Sequence, residues 1–246
     1  MRHGMRIVTV TNQKGGVGKT TLVCHLALAG VERGLRTLVV DLDTQGNAST
    51  MLARDAAVAQ QPGGAAALFA EAPIAPAVTP NGLHLLHGHQ RLDEVDQRVG
   101  LADATRVRDR LRALPYDLVV IDTPPAIGLR HLGPQVWADL VVTPLEPNSF
   151  SLLALGQTLA TIEEIRAIRP GLENRILINR FTRSSGQQNR YIELLGEHVP
   201  LTRPFLTLRV AVSDALDEGV PVWRFRRADR ETRETWMELC GGLIGG

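Results

Sequence analysis

Five short apolar runs organise the chain: RIVTVT at 6–11, LRTLVVD at 35–41, YDLVVID at 116–122, DLVVTP at 139–144 and RILIN at 175–179. Runs of this length, rich in Val, Ile and Leu with little polar alternation, predict strands covered on both faces, as parallel sheets require. Between them the period changes. Leu22, Val23, Leu26, Ala27 and Val31 fall on helical spacing and predict a helix from Thr20 to Arg33, stopped by Gly34. Further helices are predicted over 101–114, 149–169 (closed by Pro170), 187–195, 210–216 and 229–243, with a weaker strand at 83–86 and a short extended piece at 201–205. Strand, loop, helix and strand within the first 41 residues make a βαβ unit. The expected fold is α/β: a doubly wound, mostly parallel sheet with helices on both faces. No repeat or clear linker divides the chain, so 1–246 reads as one domain, with a helical, basic C-terminal segment at 201–246. Residues 56–80, dominated by Ala, Pro, Gly and Gln, read as a surface excursion with a short helix near 65–70.

Composition narrows the class. The 246 residues are 44% hydrophobic and 22% charged with a net charge of +1, so any nucleic-acid binding must come from a local patch. No stretch approaches a membrane-spanning length, and the N-terminal apolar run is too short for a signal peptide. Cys24 and Cys240 cannot form a disulfide framework, and a reducing cytoplasm is the expected compartment. Of 27 cationic residues only Lys14 and Lys19 are lysines; the remaining 25 are arginines. That both lysines fall five positions apart in one glycine-rich segment implies a need for a compact ammonium that a planar guanidinium cannot meet.

That segment reads KGGVGKTT, Lys14–Thr21, and lies between the first strand and the first helix. Glycines let successive backbone N–H groups converge on anionic oxygens, and the helix N-terminus adds its dipole. Lys14, Gly15, Gly16, Val17, Gly18, Lys19, Thr20 and Thr21 are the candidate nucleotide-binding residues. Lys19 would meet the β- and γ-phosphates, Thr20 would give its hydroxyl to Mg²⁺, and Thr21 would reach the α-phosphate. Gln13 stands where the strict G-x-x-x-x-G-K-[ST] pattern has glycine. The second strand ends in DLDTQGN, offering Asp41 and Asp43, and the third in IDTPP, offering Asp122. Carboxylates at the carboxyl ends of parallel strands can hold magnesium waters or orient an attacking water.

KGGVGKTT with DLDTQGNAST and VVIDTPP resembles the ParA/Soj family of partition ATPases, within the deviant Walker A group of P-loop NTPases that includes MinD. LTRPFLTLRVAVSDALDEGVPV (201–222) is similar in layout to that family's C-terminal segment. The resemblance implies Mg²⁺ and ATP as cofactors and a homodimer that sandwiches two ATP molecules. It implies that Lys14 reaches the partner's phosphates, that Asp43 positions the hydrolytic water, and that Thr20, Asp41, Asp43 and Asp122 support the metal. Thr44 replaces the proline usual in DxDPQ. Adenine is the expected base, because NRFT (179–182) stands where a GTPase would carry N-K-x-D; Asn179 is either a base contact or a strand-end cap.

The resemblance further implies non-specific DNA binding by the ATP dimer, assigned to Arg203, Arg209, Arg227 and Arg230, and a ParB-like partner that stimulates hydrolysis. The plainer reading of each arginine is a solvated face paired with Asp217, Glu218, Glu234 or Glu238. The rival class is a MinD-like ATPase with an interfacial C-terminal helix, against which Gly241, Gly242, Gly245 and Gly246 interrupt the tail; no membrane partner is expected. A metabolic P-loop ligase is a third class. His84, His87 and His89 lack cysteine or acidic neighbours that would complete a metal site, and Cys24 reads as a small core residue.

Overall fold

The computed structural model describes residues 4–54, 64–98, 103–126 and 128–245. The chain runs β1 (Arg6–Val10), α1 (Lys19–Glu32), β2 (Thr37–Asp41), α2 (Asn47–Ala53), a 3₁₀ turn at Ala65–Phe69, β3 (Ala77–Val78), β4 (His84–Leu86), then a 3₁₀ turn at Gln90–Glu94 running into α3 (Val95–Arg98). It continues through α4 (Ala104–Arg112), β5 (Leu118–Asp122), α5 (Leu129–Trp137), β6 (Leu140–Leu145), α6 (Ser149–Ile168), β7 (Glu173–Ile178), α7 (Gly186–His198), β8 (Leu201–Thr202), α8 (Val210–Asp217), a 3₁₀ turn at Val222–Arg224 and α9 (Arg230–Ile244). Among the described residues the strands form one sheet in the order β3-β4-β2-β5-β1-β6-β7-β8, parallel throughout except β3 against β4. The doubly wound α/β expectation therefore holds.

The strands carry two apolar faces, as their sequences require. On β5, Leu118 and Val120 face one cluster with α1, α2, α8 and α9, while Val119 and Ile121 face the other with α4 and α5. Because α1 lies between sheet and C-terminal helices, Leu22 to Gly30 are buried all round it. Register fixes the chemistry: β2 and β5 pair with Asp41 opposite Asp122, so both acids end adjacent strands on the sheet's carboxyl edge.

Two helices stand where the sequence predicts no element, and one expectation needs correction. Residues 129–137 form α5, although Gly133 and Pro134 lie within it; Val136 and Trp137 are buried and the Pro134 carbonyl accepts a 2.8 Å bond from Thr9 Oγ1, so packing outweighs local propensity. The loop after β2 contains helix α2. The short helix near 65–70 exists as a 3₁₀ turn, but Ala65 and Leu68 are fully buried in the second cluster, so this part of the excursion is core; 55–63 lie outside the described residues.

His25 joins α1 to the C-terminal segment. Its Nδ1 faces the Thr21 carbonyl at 2.8 Å, its Nε2 accepts from Val222 N–H at 3.2 Å, and its ring lies 4.4 Å from that of Trp236. With Nε2 an acceptor the imidazole is neutral, and burial lowers its pKa to about 4. Unfolding restores a pKa near 6.5, so His25 stabilises the fold fully above that value and progressively less as pH falls toward 4. His87 and His131, also lowered by burial, act in the same direction. Asp41 and Asp122, whose carboxyls burial raises, act in the opposite direction, so the His25 contribution is read by difference between wild type and a variant. His25→Gln should lower the midpoint of thermal unfolding at pH 7, and its deficit against wild type should narrow toward pH 4, measured by circular dichroism.

Candidate functional site

The loop between β1 and α1 is a backbone cradle. Gly16 and Gly18 adopt left-handed φ of 74° and 90°, and a Cβ on Gly15 or Gly16 would meet nothing within 4 Å. Gly18 is the tight point: a Cβ there would fall on Asn179 Nδ2. Asn179 ends β7, donates 2.7 Å to the Val17 carbonyl and accepts from the Arg180 N–H, so its amide fastens the loop to the sheet. Its remaining N–H and lone pair border a cavity of about 280 Å³, shared with Gly18, Thr21, Thr207, Leu208, Arg209 and Trp236. That cavity opens beside the α1 N-terminus and has the size and mixed lining of a base pocket.

Lys19 is buried and donates 3.2 Å to the Lys14 carbonyl. Burial lowers its pKa, and the charges of Asp122 and Asp43 oppose that shift. Thr20 Oγ1 donates 2.7 Å to Asp122 Oδ2. Asp122 is pushed well above the ordinary carboxylate range by burial and then by Asp41. Its Oδ1 is buried and accepts no hydrogen bond among the described residues. An unsatisfied acid oxygen next to the Thr20 hydroxyl is what a hydrated cation would satisfy, so the donor set fits Mg²⁺. Among the described residues no group of three His, Cys, Asp or Glu converges as a cage. The ion would therefore rest on Thr20, phosphate oxygens and waters.

Asp41 is held differently. Oδ2 accepts from Ser49 Oγ at 2.6 Å and Ser49 N–H at 2.9 Å, and Oδ1 accepts from Asp43 N–H at 3.1 Å. Its pKa rises to about 6, driven by burial against these bonds. Asp41 thus shapes the loop that presents Asp43, and its contribution to a metal is limited to lone pairs those bonds leave. Ser49, whose Oγ also accepts from Gly88 N–H, carried no signal in the sequence beyond a hydroxyl eight residues past Asp41.

Lys14 stands apart from the cradle. Its backbone N–H bonds Asn12 Oδ1 at 2.8 Å, while its ammonium extends to Glu146 at 3.6 Å with 41% of the side chain exposed. The exposed Phe150 and Leu153 of α6 lie just beyond Glu146 in the chain, and Phe150 shares a cleft with Lys14. Glu146, distant in sequence, carries no local signal of this pairing. The arginines assigned to DNA do not form one cluster. Arg209 borders the base-sized cavity and lies 3.7 Å from Asp229. Arg227 pairs with Glu218, and Arg230 bonds Glu234 at 2.6 Å, as the plainer reading of the patch anticipated for those two acids. Arg203 lies at the β8 edge, 3.9 Å above the Phe205 ring, in a cavity of about 540 Å³ with Arg166 and Arg175. Of the histidines, His84 bonds the Tyr116 hydroxyl at 2.7 Å.

A family profile described as an AAA domain matches residues 5–175. The chromosome-partitioning ATPase Soj of Thermus thermophilus is 38% identical over 68% of this chain, which spans 65% of that protein's length. The chromosome partitioning protein ParA of Caulobacter vibrioides is 31% identical, covering 89% of this chain and 86% of its own. A solved structure named cobyrinic acid a,c-diamide synthase, from Mycobacterium smegmatis with bound ADP and magnesium, is 25% identical with a TM-score of 0.78 and covers 98% of this chain and 94% of its own.

Gly18→Ala should test the cradle. The substitution strains a left-handed position and drives a methyl into Asn179, so nucleotide affinity should fall at least about tenfold. Titration with a fluorescent ATP analogue reads this; wild-type affinity would dissociate Asn179 and the cavity from nucleotide binding.

Proposed function

This chain belongs to the ParA/Soj family of P-loop ATPases, with ATP and Mg²⁺ as its ligands, and from that premise we propose that it is a positioning ATPase that dimerises on ATP, holds non-specific DNA as a dimer, and moves a cargo through a partner that stimulates hydrolysis. The observation that carries the reading is Lys14. An exposed ammonium that leaves its own cradle for a half-buried carboxylate is available to phosphates from outside the subunit, and the apolar Phe150 and Leu153 give the same face something to bury.

The chain's own groups divide the work. Backbone N–H groups of 15–21 and the Lys19 ammonium bind and orient the phosphates. Bound Mg²⁺ would neutralise phosphate charge from a position held by Thr20, with Asp122 taking its water. Asp43 is held by its N–H to Asp41, while its own carboxylate caps Gln45 N–H at 3.0 Å; there it can accept a hydrogen bond from the attacking water. Lys14 from the partner would add positive charge as charge develops on the transferred group. Hydrolysis is then slow until two subunits meet, which suits a protein whose dimer lifetime is its signal.

Arg227 and Arg230 are 68% and 89% exposed, and their carboxylate partners are surface pairs that phosphate can compete with at little cost. Two copies on a dimer would raise DNA affinity through effective concentration. A membrane role is disfavoured because α9 spends Trp236, Leu239, Cys240, Leu243 and Ile244 on the core; no described helix is long and apolar enough to cross a membrane.

Lys14→Ala should abolish dimers formed with a non-hydrolysable ATP analogue while leaving monomer nucleotide affinity within about twofold, read by sedimentation velocity; an unchanged dimer fraction rejects the cross-subunit role. Asp43→Ala should lower turnover by at least about a hundredfold and leave a persistent ATP dimer. On random-sequence duplex, anisotropy should rise with ATP and not ADP, and fall between low and physiological salt. Arg230→Glu and Arg203→Glu should weaken it without changing dimerisation. Arg209→Glu is the poorer probe, since that residue borders the base-sized cavity. Binding equal in both nucleotides would overturn the DNA reading.

A further inference from the structure

Arg130, at the second position of α5, is one of the few charged residues in the core, with 7% of its side chain exposed. Its Nε donates 2.8 Å to Asp96 Oδ2, its backbone N–H donates 3.0 Å to Asp96 Oδ1, its Nη2 donates 2.9 Å to Asp93, and its Nη1 faces the Leu42 carbonyl at 3.4 Å. Arg130 and its partners lie in three separate segments. Leu42 immediately precedes Asp43. Arg130 itself opens the helix that follows the Asp122–Pro125 strand end. Asp93 and Asp96 belong to the 3₁₀ turn and α3. One guanidinium therefore ties together the two loops that leave the phosphate edge of the sheet, and anchors both to a third.

Close packing restricts the same place. A Cβ on Gly88 would fall on the Asp43 carbonyl, and a Cβ on Gly128 would come within 2.7 Å of Asp96. The start of the β2–α2 loop is thus packed on Gly88 at Asp43 and contacted by the Arg130 guanidinium at Leu42. Lysine could not reproduce this junction, because its single ammonium lacks the fork that addresses two carboxylates and a carbonyl together.

We propose that Arg130 is a positioning residue for hydrolysis: it fixes the Leu42–Asp43 backbone against the start of α5, so that the Asp43 carboxylate meets the attacking water. Arg130 touches neither nucleotide nor water in this scheme. The inference rests on Asp43 as the water-orienting group. A purely structural Arg130 would affect melting temperature alone; a positioning Arg130 splits kcat from nucleotide binding.

The test is Arg130→Lys, measured for thermal stability, ATP-analogue affinity, analogue-induced dimerisation and kcat. Affinity and dimerisation should stay within about twofold while kcat falls about ten- to a hundredfold, the usual cost of a small misplacement. Asp93→Asn, at a side chain 63% exposed, is the mild probe and should lower kcat by about threefold with an unchanged melting temperature. The triple variant Arg130→Met, Asp93→Asn, Asp96→Asn removes the buried guanidinium and the two carboxylates that face it together. It should recover stability relative to Arg130→Met alone and should not recover kcat. Native kcat in folded Arg130→Lys, or kcat returning with stability in the triple variant, would overturn the inference. Asp43→Ala run in parallel separates the two claims: if it retains turnover, the Asp43 assignment has failed; if it is inactive while the Arg130 variants are native, only the positioning role has.

Discussion

Two acids that cannot comfortably both be charged sit opposite each other at the centre of the carboxyl edge of the sheet. Asp41 and Asp122 are buried register partners, and burial raises both pKa values, with the charge of Asp41 adding to the shift of Asp122. Much of the surrounding structure answers that one constraint. Ser49 and the Asp43 N–H satisfy Asp41, which obliges the chain after β2 to turn back at once into α2. Thr20 satisfies one oxygen of Asp122, which fixes the first turn of α1 against β5. Lys19 supplies the nearest positive charge and is itself too buried to be comfortable without the acids. These buried charges do not balance among themselves, and a magnesium-bound triphosphate would bring both a cation and an anion to them.

The sheet was legible because its strands are buried on both faces and leave an uninterrupted apolar record in the sequence. The nucleotide loop was legible because its chemistry is local: glycines, lysine and threonines within Lys14–Thr21 need no distant partner to be recognised. What escaped was either non-local or locally contradictory. Helix α5 contains a Gly-Pro pair that reads as a break, yet the buried Trp137 and Val136 hold it helical. The Ala-rich 65–69 segment reads as surface, yet small side chains are what fit beneath the second face. Ser49, Glu146 and Arg130 acquire meaning only through partners the fold brings to them. The arginine-rich composition obscured the last of these: one buried guanidinium among 25 arginines looks like any other until its partners are seen.

The C-terminal segment is bound to the nucleotide helix rather than appended to it. His25 bridges Thr21 to Val222 four residues beyond the phosphate loop, Glu32 bonds the Trp223 indole at 2.6 Å and Arg224 at 2.8 Å, and Arg33 donates 3.0 Å to the Gly241 carbonyl. The exposed arginines near 227 and 230 are therefore carried on a body that shares α1 with the candidate phosphate loop.

The contact between the two lysines of the loop has a thermodynamic consequence. Lys19 donates to the carbonyl of Lys14, so a phosphate that takes the remaining N–H groups of that ammonium shares it with the main chain of the very residue proposed to greet a second subunit. Whatever free energy that shared contact contributes to association must appear, by linkage, as an equal gain in each subunit's hold on its own nucleotide once the pair has formed. Nucleotide exchange and subunit separation would then be one coupled equilibrium observed from two sides.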